Sequence, residues 1–177
     1  MLRVEEKMDV RIDNEEVPLR LVVIANPNKE VWNIETILYF EPVTTRMIVR
    51  IVMKYYSNEY LYIESFRNYA TRPNTRKSTG FTLKEEEGLR GIGKRVLWML
   101  LCVLVTRWPF LLDKGEYSIV YLEAACLVIH IMECNDAELV RYYQKLGFRV
   151  VKVDRDIEGT PMLATVHRLL EVAELEI

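Results

Sequence analysis

The sequence predicts a mixed α+β domain with a central sheet, and two observations carry that prediction. The first third is a succession of β-branched and aromatic runs separated by turn residues, the pattern of antiparallel strands. The second half alternates strand-like and helix-like runs, which gives a strand–helix–strand arrangement.

The elements follow in order. Val17–Ile24 is β-branched and ends at Asn26-Pro27-Asn28, a turn signal. Asn33–Phe40 is a second strand, closed by Pro42. Met47–Tyr56 and Tyr60–Phe66 read as the two arms of a hairpin joined through Ser57-Asn58-Glu59. A further strand fits around Asp9–Ile12. Four tyrosines, Tyr55, Tyr56, Tyr60 and Tyr62, cluster about that hairpin turn; they suit a pocket, a protein interface or plain cross-strand packing. Asn68–Leu83 has no periodicity and contains Pro73 and Gly80, so it reads as loop, and Arg67–Glu87 is an insertion only by comparison with a known family's short connection. Lys84–Glu87 suits either a helical turn or a solvated loop.

Arg90–Trp108 has the pattern of a continuous helix with the apolar set Val96, Leu97, Leu100, Leu101, Leu104 and Val105, and Pro109 helps to stop it. Tyr117–Ala125 is a strand, and Cys126–Glu133 fits strand or helix. Asp136–Leu146 is a helix capped at Asn135 or Asp136, with Leu139, Tyr142, Tyr143 and Leu146 on its apolar face and Gly147 just past its end. Phe148–Val153 is a strand, Asp154–Gly159 a turn, Met162–Arg168 a last strand, and 171–177 an acidic tail that is a short helix or frayed. A length of 177 residues suits a single domain over 1–177.

Composition excludes several function classes. With 24 basic against 26 acidic residues the net charge is -2, without the basic excess of a protein that coats nucleic acid. Three cysteines, two histidines and no Cys-x-x-Cys pair give neither a disulfide framework nor a zinc site, so no metal is expected. Cys126 reads as a buried structural thiol rather than a nucleophile. The first residues carry acids and no apolar stretch, so neither a signal peptide nor a transit peptide is expected. The longest apolar run, Val96–Val105, is too short to span a bilayer. The expectation is a soluble, cytoplasmic protein with no membrane partner.

The residues with chemistry begin at Gly88-Leu89-Arg90-Gly91-Ile92-Gly93-Lys94-Arg95, three glycines at the mouth of a helix. The first amides of a helix have no internal acceptor and sit at the positive end of its dipole. Glycines let the backbone approach an anion closely, and Lys94 and Arg95 can add charge-assisted bonds, so the loop suits a pyrophosphate. It is neither the dinucleotide fingerprint nor a Walker loop, and a tight turn before a buried helix explains the glycines equally well.

A second segment, Arg141-Tyr142-Tyr143-Gln144-Lys145-Leu146-Gly147-Phe148-Arg149, resembles the hallmark of the GCN5-related N-acetyltransferase (GNAT) family, in which a helix carrying Tyr-x-Lys-Leu-Gly-Phe runs into the next strand. Arg90-Gly91-Ile92-Gly93-Lys94 resembles the glycine loop of the same family, and the two motifs stand in the family's order, within Gly88–Leu170. The resemblance implies a GNAT-like acyl-CoA N-acyltransferase fold, with acetyl-CoA as acyl donor and cofactor. Leu89, Arg90, Gly91, Ile92, Gly93, Lys94 and Arg95 would hold the pyrophosphate. Tyr143 would protonate the leaving thiol, and the pantetheine would lie in a splay between the parallel strands Tyr60–Phe66 and Tyr117–Ala125. Glu64 and Glu123, each on one of those strands, are candidate bases for the attacking amine, or charges on a solvated strand face.

The implied activity is transfer of an acetyl group to an amine of a small molecule or a protein. A catalytically inactive chain that keeps the fold for assembly, with a second copy or another protein as partner, is the alternative from another class. Arg67, Arg72, Arg76 and Lys77 form a basic stretch that suits the 3′-phosphate of coenzyme A, nucleic acid or simply solvent; nucleic acid is the weakest of the expected partners.

Overall fold

The computed structural model describes residues 1–12, 14–41, 43–69, 91–125 and 136–175. The strands are β1 (Leu2–Ile12), β2 (Glu15–Asn28), β3 (Val31–Phe40), β4 (Val43–Tyr56), β5 (Tyr60–Asn68), β6 (Ile119–Ala124), β7 (Arg149–Val150) and β8 (Thr160–Thr165). The helices are α1 (Ile92–Cys102), α2 (Asp136–Leu146) and α3 (Val166–Leu175). The fold is mixed α+β, with an eight-stranded, mostly antiparallel sheet in the order β1-β2-β3-β4-β5-β6-β8-β7. The chain gathers into two compact units, Met1–Lys54 with Glu64–Leu100, and Tyr55–Ile63 with Leu101–Ile177.

The first unit is built on a meander. β1 and β2 pair antiparallel from Leu2↔Ala25 to Ile12↔Glu15, and β2 and β3 from Leu19↔Phe40 to Asn28↔Val31. β1 is far longer than the Asp9–Ile12 segment suggested by sequence. Arg3, Glu5, Lys7 and Asp9 alternate with Leu2, Val4, Met8 and Val10, so charge masks the apolar half of a period-two pattern. Such charges suit an edge strand, where they discourage pairing with another chain.

β2 likewise runs through Asn26-Pro27-Asn28, and the turn falls two residues later, with Lys29 at φ +59. Pro27 stands opposite Trp32 beyond Ala25, where β1 has ended, so no ladder needs the N–H that proline lacks. Pro18 sets the other end. The Glu41 N–H donates to its carbonyl at 3.2 Å, and the proline cannot return the bond, so pairing starts at Leu19↔Phe40.

Alternation buries Leu19, Leu21, Val23 and Ala25 of β2 and Ile34, Thr36, Leu38 and Phe40 of β3. On α1, Ile92, Val96, Leu97 and Leu100 are buried at helical spacing. Each fully buried leucine contributes roughly 2 kcal/mol from apolar burial.

In the second unit β5 and β6 form a parallel pair at Tyr60↔Ile119, Leu61↔Val120 and Tyr62↔Tyr121. The pairing ends there, although β5 continues to Asn68 and β6 to Ala124. β8 pairs antiparallel with β6 from Ile119↔Thr165 to Ala124↔Thr160. Of the strand expected at Phe148–Val153, only Arg149–Val150 joins the sheet, opposite Leu163 and Met162.

The long helix expected to end at Trp108 changes character at Val103–Arg107, which widens into a π-helical turn. The Trp108 N–H donates to the Val103 carbonyl at 3.1 Å, just before Pro109. The expected strand Met162–Arg168 is corrected. β8 stops at Thr165, whose Oγ1 accepts the Arg168 N–H at 3.0 Å, and α3 begins at Val166 with Val166, Leu169 and Ala173 buried. Thr165 and Val166 are β-branched, which hides a helix cap inside a strand-like string.

The readings of Lys84–Glu87, of Cys126–Glu133 and of the loop beyond Tyr69 fall outside the described residues. Among the described residues no helix is long and apolar enough to cross a membrane.

Candidate functional site

The glycine loop enters the first unit at Gly91, which has φ +71, a conformation that glycine adopts without strain. The first helical bond of α1 runs from the Arg95 N–H to the Gly91 carbonyl at 3.2 Å. The amides of Ile92, Gly93 and Lys94 therefore precede the ladder of intrahelical bonds. No acidic residue occupies the first turn of α1, where one would offset the positive end of the dipole.

Gly93 has a packing reason as well. A Cβ on it would lie 2.8 Å from Asn68 Nδ2 and 3.3 Å from a ring carbon of Phe66, so its small size lets the start of α1 press on the end of β5. A Cβ on Gly91 would stand 3.1 Å from Lys94 Cε, placing that aliphatic stem beside the loop, and Lys94 Nζ lies 5.5 Å from the Trp98 ring centre. Arg95 is exposed. Close backbone, three leading amides and two cations fit an anion of pyrophosphate size. Leu89 and Arg90 fall outside the described residues.

The Tyr143 segment is first of all a helix stop. The Phe148 N–H donates to the Tyr143 carbonyl and the Gly147 N–H to the Gln144 carbonyl, both at 3.1 Å, with Gly147 at φ +116. These are the paired bonds of a Schellman cap, and the hydrophobic contact that accompanies one is the edge-on packing of Tyr143 on Phe148, centroids 5.6 Å apart. Lys145-Leu146-Gly147-Phe148 thus encodes the end of α2. Tyr143 is buried, and burial, helped by the neighbouring Tyr142 phenol, raises its pKa far above the ordinary tyrosine value. Burial alone pushes Tyr142 to about 12. At neutral pH both phenols are donors.

The two candidate carboxylates part company. Glu64 belongs to the first unit, is largely exposed and lies 3.5 Å from Lys54 Nζ, a solvated strand pair. Glu123, in the second unit, is held in a cluster. Its Oε1 accepts the Tyr121 hydroxyl at 3.0 Å and an Arg155 guanidinium nitrogen at 2.8 Å, and its side chain is only 20% exposed.

Strand geometry explains the cluster. Tyr60 and Tyr62 share one face of β5, Tyr121 and Glu123 one face of β6, and parallel pairing sets Tyr62 beside Tyr121. The intervening Leu61, Val120 and Leu122 are buried. Tyr56, Tyr60, Tyr62, Tyr121, Glu123, Arg155, Asp156 and Ile157 line a cavity of about 360 Å³. Burial raises the Tyr121 phenol's pKa, an effect that the Arg155 contact opposes.

Sequence reasoning found three of these tyrosines and Glu123, but not their shared pocket. Tyr60-x-Tyr62 and Tyr121-x-Glu123, read as same-face pairs on neighbouring strands, carried the signal. Arg155 and Asp156, on the segment between β7 and β8, carried none. Tyr55, grouped with the others by sequence, is buried, and its hydroxyl donates to Asp113 Oδ2 at 2.7 Å.

Among the described residues no group of three or more His, Cys, Asp or Glu side chains could hold a metal ion. No family model, curated protein or solved structure matches the chain.

Proposed function

We propose that the chain is an acetyl-CoA-dependent N-acetyltransferase of the GNAT type, acting on an amine of a small molecule or a protein. The observation that carries the proposal is the short parallel ladder. Within the second unit β5 and β6 stay in register for only three residue pairs, Tyr60↔Ile119 to Tyr62↔Tyr121, a ladder short enough to suit the splay that the resemblance implies for a pantetheine arm. The amides of Ile92, Gly93 and Lys94 suit the pyrophosphate.

When bound, acetyl-CoA would supply a thioester as acyl donor, its C–S bond giving way to the new C–N bond of the amine. Glu123 accepts the proton that the amine releases, directly or through water. Tyr143, kept protonated by burial, donates to the departing sulfur. A non-catalytic role in assembly is the second reading, and the observation favouring it is that Tyr143 is already accounted for by the Schellman cap of α2.

Calorimetric titration with acetyl-CoA tests the proposal, using two variants at a position that needs a positive φ. Asn and Asp both tolerate that conformation and differ by one charge. Gly91→Asn should bind acetyl-CoA, whereas Gly91→Asp should bind at least about tenfold more weakly, from repulsion of the phosphates. Equal affinities would remove the cradle, and no binding to the native protein would remove the transferase.

A further inference from the structure

The tyrosine pocket has recognition capacity that its own residues do not use. Among the described residues the Tyr56 and Tyr60 rings make aromatic contacts, with centroids 5.4 Å apart, but their hydroxyls have no hydrogen-bond partner. Tyr60 meets Tyr121 nearly edge-on at 5.7 Å, and Tyr62 lies at a tilt to Tyr121 at 5.9 Å, so the wall is continuous π surface. Among the described residues both donors to Glu123 reach the same oxygen, Oε1, and none reaches Oε2. Asp156, on the rim, has no counter-ion among the described residues.

Arg155, the one cation among the described lining residues, shows what the pocket attracts. The Arg155 side chain is 63% exposed, yet its guanidinium reaches Glu123 at 2.8 Å and makes a hydrogen bond to Tyr121. A solvated arginine on an irregular segment is a weak, displaceable partner.

We propose that this pocket binds a primary alkylammonium group, seated between the Glu123 carboxylate and the tyrosine rings in competition with Arg155. The ring faces attract the positive charge. The three ammonium protons suit Glu123 Oε2, Asp156 and the Tyr60 hydroxyl, whereas a quaternary cation has no proton to give any of them. Tyr56, Tyr60 and Tyr62 pack the alkyl stem. This binding stands on the second unit alone. That the bound amine is also the acetyl acceptor rests on the transferase reading, in which Glu123 would take its proton.

The test is titration of the full chain with n-butylammonium, read by tyrosine fluorescence and by proton–nitrogen NMR shifts, in the absence of acetyl-CoA. n-Butanol and tetramethylammonium are the uncharged and donor-free controls. The expected order is n-butylammonium well above both. Glu123→Gln, which preserves shape, should weaken n-butylammonium at least about tenfold, the scale of one charge-assisted bond. Arg155→Ala removes the competitor and should tighten it several-fold. Tyr60→Leu should weaken it while leaving Arg155 in place, and a matching near-ultraviolet circular dichroism spectrum establishes that each variant is folded. Equal response to n-butylammonium and n-butanol, or an unchanged affinity in folded Glu123→Gln, overturns the proposal. Failure of acetyl-CoA to bind the same sample sinks the transferase reading alone.

Discussion

The β1–β3 meander and the β5–β6 junction apply the same period-two alternation to opposite ends. In the meander the inner face is apolar, and several charges on the outer face are paired. Arg20 pairs with Glu41 at 3.0 Å and Arg50 of β4 with Glu35 of β3 at 2.8 Å. The ladders run almost the whole length of the strands. At the junction the buried face is equally apolar, with Leu61 and Val120, but the ladder covers three residue pairs. The other face carries tyrosines and acids that line a cavity. Where bonding capacity is consumed internally a sheet supplies stability. Where it is left over beside a cavity, the sheet is equipped to take a ligand.

The largest effect should come from the meander. Leu38 is fully buried on β3 opposite Leu21, so Leu38→Ala should cost about 3 kcal/mol in urea unfolding through lost apolar burial and the cavity left behind. A loss under about 1 kcal/mol would mean that the site collapses freely, and the contrast between a packed meander and an open junction would fail.

A second substitution bears on the junction. Gly159 precedes β8 with φ +90, and a Cβ there would come within 2.6 Å of the Ala124 carbonyl oxygen and 2.8 Å of the Ala125 Cβ. Backbone and side chain both resist, so Gly159→Ala should cost about 2 kcal/mol or more. It should also weaken n-butylammonium binding, because it disturbs the end of the segment that carries Arg155 and Asp156. Gly115→Ala is the control. Gly115 also has a positive φ, of +55, but nothing lies within 4 Å of its added methyl, so it should cost only about 1 kcal/mol. Equal losses at the two glycines would remove the steric part of the argument.

Much of this contrast was legible in the sequence. Leu38 and its neighbours announce a strand with one buried face, and the end of α2 at Leu146 was legible because Gly147 marks it. Proline was read too simply. Pro27 looked like a turn because a string of residues does not tell where a neighbouring strand stops. α3 was hidden because β-branching at Thr165-Val166 outweighs a cap whose partner, the Arg168 amide, is invisible in sequence. The pocket was half legible. Tyrosine spacing on β5 and β6 was readable, but the approach of Arg155 from an irregular segment depends on tertiary contact. The glycine loop was legible as the mouth of a helix, and the packing of Gly93 on Asn68 was not.

The smallest effect distinguishes how the turns on the two sides are held. The β2–β3 turn, with Lys29 at a positive φ, is secured by the ladder that runs up to it at Asn28↔Val31. The turn before β5, with Asn58 at φ +64, has a side-chain anchor as well. Asp113 Oδ2 accepts both the Tyr55 hydroxyl and the Asn58 N–H at 2.7 Å. Those bonds, the phenol's first and the amide's second, hold the Asp113 carboxyl below its ordinary value. A carboxyl depressed on folding contributes stability that is present above its unfolded pKa of about 3.9 and lost as pH falls through the lower folded value. Asp113→Asn should therefore lower the melting temperature at pH 6, and the gap to the native protein should close as pH falls below about 4. A gap that stays constant down to pH 2 would mean that the anchor does not depend on charge. The turn before the tyrosine strand would then be held as the meander's turns are, by shape and ladder alone.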